Sequence, residues 1–383
     1  MPLLKKGNTH NIQPLLLMRE TLLKQIALTL IPGVGPVSAR NLVSYCGGVE
    51  AVFREKKLNL EKIPSIGPLT AKAIVGHKVF ERAEEECRFI EQNNLQTFFY
   101  LDQKYPKRLK NCHDAPLLLY FKGNADLNAE KIIGIVGTRN ATAYGKSVTE
   151  QIVKDLGRHQ VMIMSGLAYG IDICAHKASV LNNITNIGVL AHGLDMLYPG
   201  NHKTTAQKML SAGGLLTEFP SKTNPDRENF PSRNRIVAGM CDAILVIESA
   251  EKGGALITAD VANSYNRDVF AVPGNINNIY SSGCNKLIKE NKAGLVETAE
   301  DIIKMMQWEN EERKPVLHQQ KLFLEFSGEE KLLLDILNEE PAVDLDTIAF
   351  TSKIPLGKVS ALLLKLELSG VVKALPGKQF QLA

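Results

Sequence analysis

Three short clusters hold the residues best suited to chemistry: Phe230-Pro231-Ser232-Arg233-Asn234-Arg235, Gly253-Gly254-Ala255-Leu256-Ile257-Thr258 and Pro273-Gly274-Asn275. Each falls at an expected strand end or helix start of one α/β unit. A glycine pair before a helix lets backbone N–H groups come close to an oxyanion. A guanidinium is a planar fork that clasps phosphate, and an aromatic ring flanked by arginines suits base stacking. Four further residues add to this set. Arg139 leaves the first strand of the unit, Arg227 precedes Phe230, Lys252 precedes the glycine pair, and Thr258 carries a hydroxyl. Ser165-Gly166 ends the second strand. Arg233 and Arg235, two apart on one helix, must diverge, so one is expected to pair internally while the other faces the ligand. No Ser-His-Asp set and no paired carboxylate accompanies these groups. The site is expected to grip a polyanion, not to cut one.

Metal and nicotinamide chemistry find no support. His176, His192 and His202 have no second histidine at i+3 or i+4 and no completing carboxylate, so no metal site is expected. The first turn, Val136-Gly137-Thr138-Arg139, is not GxGxxG, and the second strand ends Met164-Ser165-Gly166 without the acid that a nicotinamide ribose requires. No cofactor is expected. Asp172 is expected to cap the helix carrying His176, although Asp172 and Asp195 are each a conceivable base.

Short apolar runs that alternate with helical stretches must position these residues. The runs are Ile132–Val136, Val161–Met164, Ile187–Leu190, Leu215–Thr217, Ala243–Ile247, Val269–Val272 and Gly294–Val296. Continuous apolar strands of this kind are buried on both faces, which predicts a doubly wound, mainly parallel, Rossmann-like sheet. In such sheets ligands collect outside the carboxyl ends of the strands, where the clusters fall.

The N-terminal part carries a repeat. Ile31-Pro32-Gly33-Val34-Gly35-Pro36 is echoed by Ile63-Pro64-Ser65-Ile66-Gly67-Pro68, and Arg40 and Lys72 follow each. Proline stops one helix, glycine allows a tight turn, and the second proline suits the next helix's first turn. This resembles the helix–hairpin–helix motif, a backbone-binding element of DNA-binding proteins. Gly33, Gly35, Arg40, Gly67 and Lys72 are therefore secondary candidates for DNA contact. The C-terminal part predicts three helices and a hairpin with a Pro376-Gly377-Lys378 turn, a small winged helix. Leu332, Leu333, Ile336 and Leu337 are expected on one face of its first helix. Winged helices commonly read duplexes through the third helix, but Leu356–Glu367 has only two lysines. A protein-interaction or regulatory role is favoured there.

The 383 residues divide into 1–85 (helix–hairpin–helix), 86–305 (Rossmann-like), a charged linker at 306–325 and 326–383 (winged helix). Residues 1–110 hold 17 Lys and Arg against 10 Asp and Glu, and residues 301–383 hold 10 against 13, so the basic end suggests an anionic partner. Six cysteines with no pair closer than 25 residues suggest reduced thiols in a cytoplasmic protein. No run approaches the ~20 apolar residues of a membrane span, and the Leu15–Met18 run is too short for a signal h-region.

The order of motifs resembles the DNA-processing protein A (DprA/Smf) family. The matching residues are Tyr105–Leu109, Ala115–Asn124, Val136–Arg139, Ser165–Asp172, Gly193–Pro199, Phe230–Arg235, Gly253–Thr258 and Pro273–Asn275. The resemblance implies an extended Rossmann-like domain that binds single-stranded DNA without sequence preference and forms a homodimer through that domain. It also implies loading of RecA recombinase during natural transformation, with displacement or bypass of single-strand-binding protein. By motif, Arg139 would contact phosphate, Phe230 would be the aromatic of the DNA pocket with Arg227 upstream, and Gly253 and Gly254 would form the backbone cradle. Gly253 departs from a family Ser-Gly and loses a hydroxyl. The alternative is a phosphoribohydrolase-like enzyme on a related sheet. It would need Glu248 to pair with Arg139 or Arg233, and it lacks that family's Pro-Gly-Gly-x-Gly-Thr run.

Overall fold

The computed structural model describes residues 12–309, 326–339, 343–375 and 378–382. The chain divides into two compact units, Met1–Glu309 and Asn310–Ala383. In the first unit, nine strands among the described residues form one sheet. They are β1 (Gln96–Phe99), β2 (Leu118–Gly123), β3 (Ile132–Val136), β4 (Met162–Ser165), β5 (Asn186–Val189), β6 (Gly214–Thr217), β7 (Ala243–Val246), β8 (Asp268–Ala271) and β9 (Gly294–Leu295). Their order is β1-β2-β6-β5-β4-β3-β7-β8-β9, with β3 to β9 parallel and β1 and β2 antiparallel at one edge.

All seven strands expected from sequence are present, shifted by at most a residue or two. The sheet also takes in two strands beyond those seven, Gln96–Phe99 and Leu118–Gly123. Central strands β3, β4, β5 and β7 are buried along their whole length, as a sheet covered on both faces requires. One core layer packs Ile132, Met164, Ile187, Ile236 and Ala259, and the other packs Ile133, Ile135, Ile152, Ile163 and Ile302. The chain reverses its winding between β3 and β7, which makes their carboxyl ends the topological switch point.

The N-terminal helices pack on the added edge. Ile26, Leu42, Leu60 and Ile74 share a core with Leu118 and Tyr120 of β2. The helix Phe80–Gln92 runs across the boundary expected at residue 85. Its buried Glu86 accepts hydrogen bonds from Ser221 N (2.9 Å) and Ser221 Oγ (2.6 Å). Both hairpins of the repeat form. Helices Pro36–Cys46 and Pro68–Val75 begin after Gly35 and Gly67, each with proline in the first turn. Gly33 (φ 79°) and Ser65 (φ 68°) occupy the same left-handed position of the two turns. The repeat therefore holds in backbone where it fails in residue type.

In the second unit, helices Gly328–Glu339, Leu345–Ser352 and Leu356–Leu368 enclose Leu333, Leu337, Ile348, Leu363 and Leu366. Strands β10 (Val343–Asp344), β11 (Val372–Leu375) and β12 (Gln379–Leu382) form a sheet in the order β10-β12-β11. Leu332 departs from the expected apolar face and is 42% exposed. Both lysines of the third helix have acidic partners on the first, Lys358 with Glu329 (2.6 Å) and Lys365 with Glu330 (2.7 Å). Most of the expected linker, residues 310–325, and the turn residues 376–377 lie outside the described residues.

Candidate nucleic-acid interface

A cleft of about 270 Å³ opens at the switch point. The turn after β3 supplies Thr138 and Arg139, the turn after β4 supplies Ala168, and the helix Asn229–Met240 supplies Phe230 and Asn234. The segment after β7 supplies Lys252 and the glycine pair.

The floor is built from buried polar groups. Ser165 Oγ donates to Ile135 O (2.6 Å), tying β4 to β3. Arg233 is buried, donating through Nη1 to Val189 O (2.7 Å) and to Gly166 O, and through Nε to Asn234 Oδ1 (3.1 Å). A β-carbon at Gly166 would land on that guanidinium, so only glycine fits. Asp172 Oδ2 accepts from Gly166 N (3.1 Å) and Ala168 N (3.4 Å). Burial pushes the Asp172 carboxyl up, opposed by Arg233 and by those N–H groups. Burial pushes the Arg233 guanidinium down, opposed by Asp172. The residue that caps the helix Ile171–Leu181 is Gly170, so Asp172 is corrected from a helix cap to a brace for the preceding turn.

The rim is cationic and open. Arg139 is exposed and has no hydrogen bond or ion pair among the described residues. Its guanidinium lies 5.3 Å from the centre of the Phe230 ring. Arg233 lies 5.9 Å from the same ring, so Phe230 is half-buried within reach of two guanidinium groups. Lys252 is exposed. The eleven-residue helix Gly254–Ser264 begins after Gly253 with no side-chain cap, and Gly253, Gly254 and Ala255 of its start line the cleft. Nothing lies within 4 Å of a β-carbon built on Gly254. Phosphate is the chemistry that a free guanidinium, a lysine and an uncapped helix start serve together.

The structure brings Arg139, Phe230, Asn234, Lys252, Gly253 and Gly254 together at the cleft surface. Ser165, Gly166 and Arg233 lie beneath it as framework. Thr258 lines the cleft wall, but its hydroxyl donates to Gly254 O (3.1 Å) within the helix. Arg227 is exposed just upstream of Phe230 and does not line the cleft. Arg235 must be corrected: its guanidinium pairs with Glu218, a carboxyl that burial pushes up, and lies outside the cleft. Arg233 is thus buried and Arg235, though only partly buried, is taken up by Glu218, while the helix is buried from Ile236 to Met240. Arg40 is likewise corrected. It donates to Cys112 O and to Ala115 O (2.6 Å), pinning the helical layer to the sheet. Gly33, Gly35, Gly67 and Lys72 remain exposed.

Sequence reasoning missed Thr142. Glu248 at the end of β7 accepts from Thr142 N (2.9 Å) and Thr142 Oγ1 (2.6 Å), and it pairs with neither Arg139 nor Arg233. Thr142 Oγ1 also caps the helix Ala143–Arg158. The signal available was a threonine three residues ahead of a helical glycine. Among the described residues no group of three His, Cys, Asp or Glu side chains is placed to hold a metal. His176 is buried against Asn186 (2.9 Å), and burial pushes its pKa down to about 4. The six cysteines are unpaired and, except for Cys46, buried. No single described helix is long and apolar enough to cross a membrane.

Comparison with known proteins gives a consistent result. The family model for DNA recombination-mediator protein A matches residues 96–307, and a DprA winged-helix model matches residues 324–378. Protein Smf of Synechocystis is 31% identical over 93% of this chain and 97% of its own length. The crystal structure of DNA processing protein A from Streptococcus pneumoniae superposes with a TM-score of 0.62 at 29% identity, covering 73% of this chain and 95% of that one. The Helicobacter pylori DNA processing protein A, whose structure is described in terms of its single-stranded DNA binding mode, superposes with a TM-score of 0.51 at 27% identity. That match covers 56% of this chain and 95% of the other.

Proposed function

This chain belongs to the DNA recombination-mediator protein A family, and we propose that it binds single-stranded DNA without sequence preference in the switch-point cleft and performs no chemistry on the strand. The observation that carries the proposal is the free guanidinium of Arg139 stacked on Phe230 beside an uncapped helix start at Gly253-Gly254. Phosphates would lie on Arg139, Lys252 and the N–H groups of that start, and a base would stack on the open face of Phe230. Neither group reads base edges, so recognition is of backbone and ring. A duplex hides its bases in the stack and would lose the Phe230 contact.

The Helicobacter pylori relative's binding of single-stranded DNA supports the same reading. Loading of RecA recombinase onto the strand, contact with single-strand-binding protein, homodimerisation, action in natural transformation and a cytoplasmic location are proposed on family membership alone. The phosphoribohydrolase-like alternative requires Glu248 as a partner for an arginine. The commitment of Glu248 to Thr142 argues against it.

The test is titration of labelled oligothymidine, oligodeoxycytidine and a duplex of equal length into the purified protein. Similar affinity for both single strands and weaker binding of the duplex are expected. Absence of single-strand binding at physiological salt overturns the proposal, and release of free base from nucleoside monophosphates would favour the enzyme.

A further inference from the structure

A small notch of about 20 Å³ continues the cleft past Phe230 towards the ends of β4 and β5. It shares Arg139, Ala168, Phe230 and Arg233 with the main cleft and adds Tyr169, His192 and Tyr198. Tyr169 is 43% exposed and Tyr198 47% exposed. The ring of Tyr169 is held by packing, and Tyr198 is anchored through its backbone. Tyr169 packs edge-on against His202 with centroids 5.0 Å apart, and the buried His202 bonds through Nδ1 to Leu167 O (2.9 Å). Tyr198 N donates to His192 Nε2 (3.1 Å), and His192 Nδ1 bonds to Gly193 O (2.9 Å). This pattern casts Nε2 as the acceptor and Nδ1 as the donor. Neither tyrosine hydroxyl has a protein partner among the described residues.

We infer that Tyr169 and Tyr198 form a second nucleobase subsite, taking the base next to the one on Phe230. The inference rests on the reading of the cleft as a single-strand site. Arg139 lines both hollows, so its guanidinium is placed to take the phosphate that joins the two bases. Two exposed tyrosine rings beside an unpaired cation match the sequence-tolerant stacking platform that an unpaired strand uses. An isolated phosphate would gain nothing from the rings, and an apolar peptide would leave Arg139 without a partner.

The experiment compares wild type, Tyr169→Ala/Tyr198→Ala, Tyr169→Phe/Tyr198→Phe and Phe230→Ala, each confirmed folded by its melting temperature. Two probes of equal length are used, oligothymidine and an all-abasic strand. The alanine pair is expected to weaken oligothymidine binding roughly ten- to a hundredfold, at one to two stacked bases. It should leave abasic-strand affinity and the salt slope unchanged, and the phenylalanine pair should bind as wild type. An oligonucleotide carrying one 5-iododeoxyuridine should photocrosslink to Tyr169 or Tyr198 in wild type. Normal oligothymidine binding by the alanine pair while Phe230→Ala is impaired, or crosslinks confined elsewhere, overturns the subsite and leaves the cleft standing. Failure of wild type to bind single strands removes the cleft reading and the subsite with it.

Discussion

Substituting Gly166→Ala tests the framework beneath the cleft. The added methyl would occupy the Arg233 guanidinium site and displace a buried guanidinium that is bonded to Gly166 O and Val189 O. It must therefore give up at least one charge-assisted bond, worth about 1.5–3 kcal/mol, while staying buried beside Asp172. Leaving a buried charge poorly paired costs about 3–5 kcal/mol. These two costs overlap, so a loss of about 3 kcal/mol is expected, which for a unit of this size lowers the melting temperature by roughly 5 °C. The assay is calorimetry of wild type, Gly166→Ala, Arg233→Met and the double variant. In the Arg233→Met background the methyl meets no guanidinium, so Gly166→Ala should then cost less than about 1 kcal/mol, a coupling expected only for groups in contact. Melting of Gly166→Ala within about 2 °C of wild type, or an equal cost in both backgrounds, would refute the account of the cleft floor.

Gly254→Ala should separate binding from stability. A β-carbon there meets nothing within 4 Å, so melting should be unchanged or rise by the equivalent of about 0.4–1 kcal/mol. Single-strand affinity should nonetheless fall roughly tenfold, about 1.4 kcal/mol, as the methyl holds phosphate off the helix start; unchanged affinity would argue against a phosphate there. His176 should make the first unit acid-sensitive. Its pKa is pushed from 6.5 to about 4 in the fold, so the unfolded chain binds the proton first. The stability that buried neutral His176 gives is present above about pH 6.5 and is lost as pH falls towards 4, by about 3 kcal/mol in all. Urea unfolding at pH 7, 6 and 5 should show a smaller acid loss in His176→Gln than in wild type. Ser65→Gly, at φ 68°, should raise stability by about 1 kcal/mol in the same assay, since only glycine takes that conformation without strain.

The parallel sheet was legible because apolar runs buried on both faces and glycine-rich strand ends are local signals. Arg139, Phe230 and the glycine pair were legible for the same reason: each sits where a strand must end or a helix must start. Arg235 and Arg40 were misread because their roles depend on acceptors far along the chain, Glu218 in one case and the carbonyls of Cys112 and Ala115 in the other. A surface arginine and one pinned beneath a helix have the same local sequence. The edge strands β1 and β2 were missed because they precede the strand–helix alternation: Leu117–Phe121 is an apolar run like the others, but no helix separates it from β3. Asp172 was misread as the cap because it lies two residues past Gly170, and a residue just inside a helix start can turn back on the preceding loop instead of capping.

The central claim rests on Arg139. The most direct measurement is oligothymidine affinity for wild type and Arg139→Ala across a salt series. Wild-type binding should weaken with salt at a slope of about −0.7 per phosphate neutralised. Arg139→Ala should bind more weakly at every salt concentration, with the slope shallower by about that amount. If the substitution changes neither affinity nor slope, the strand is held elsewhere on the molecule and the switch-point cleft is not its site.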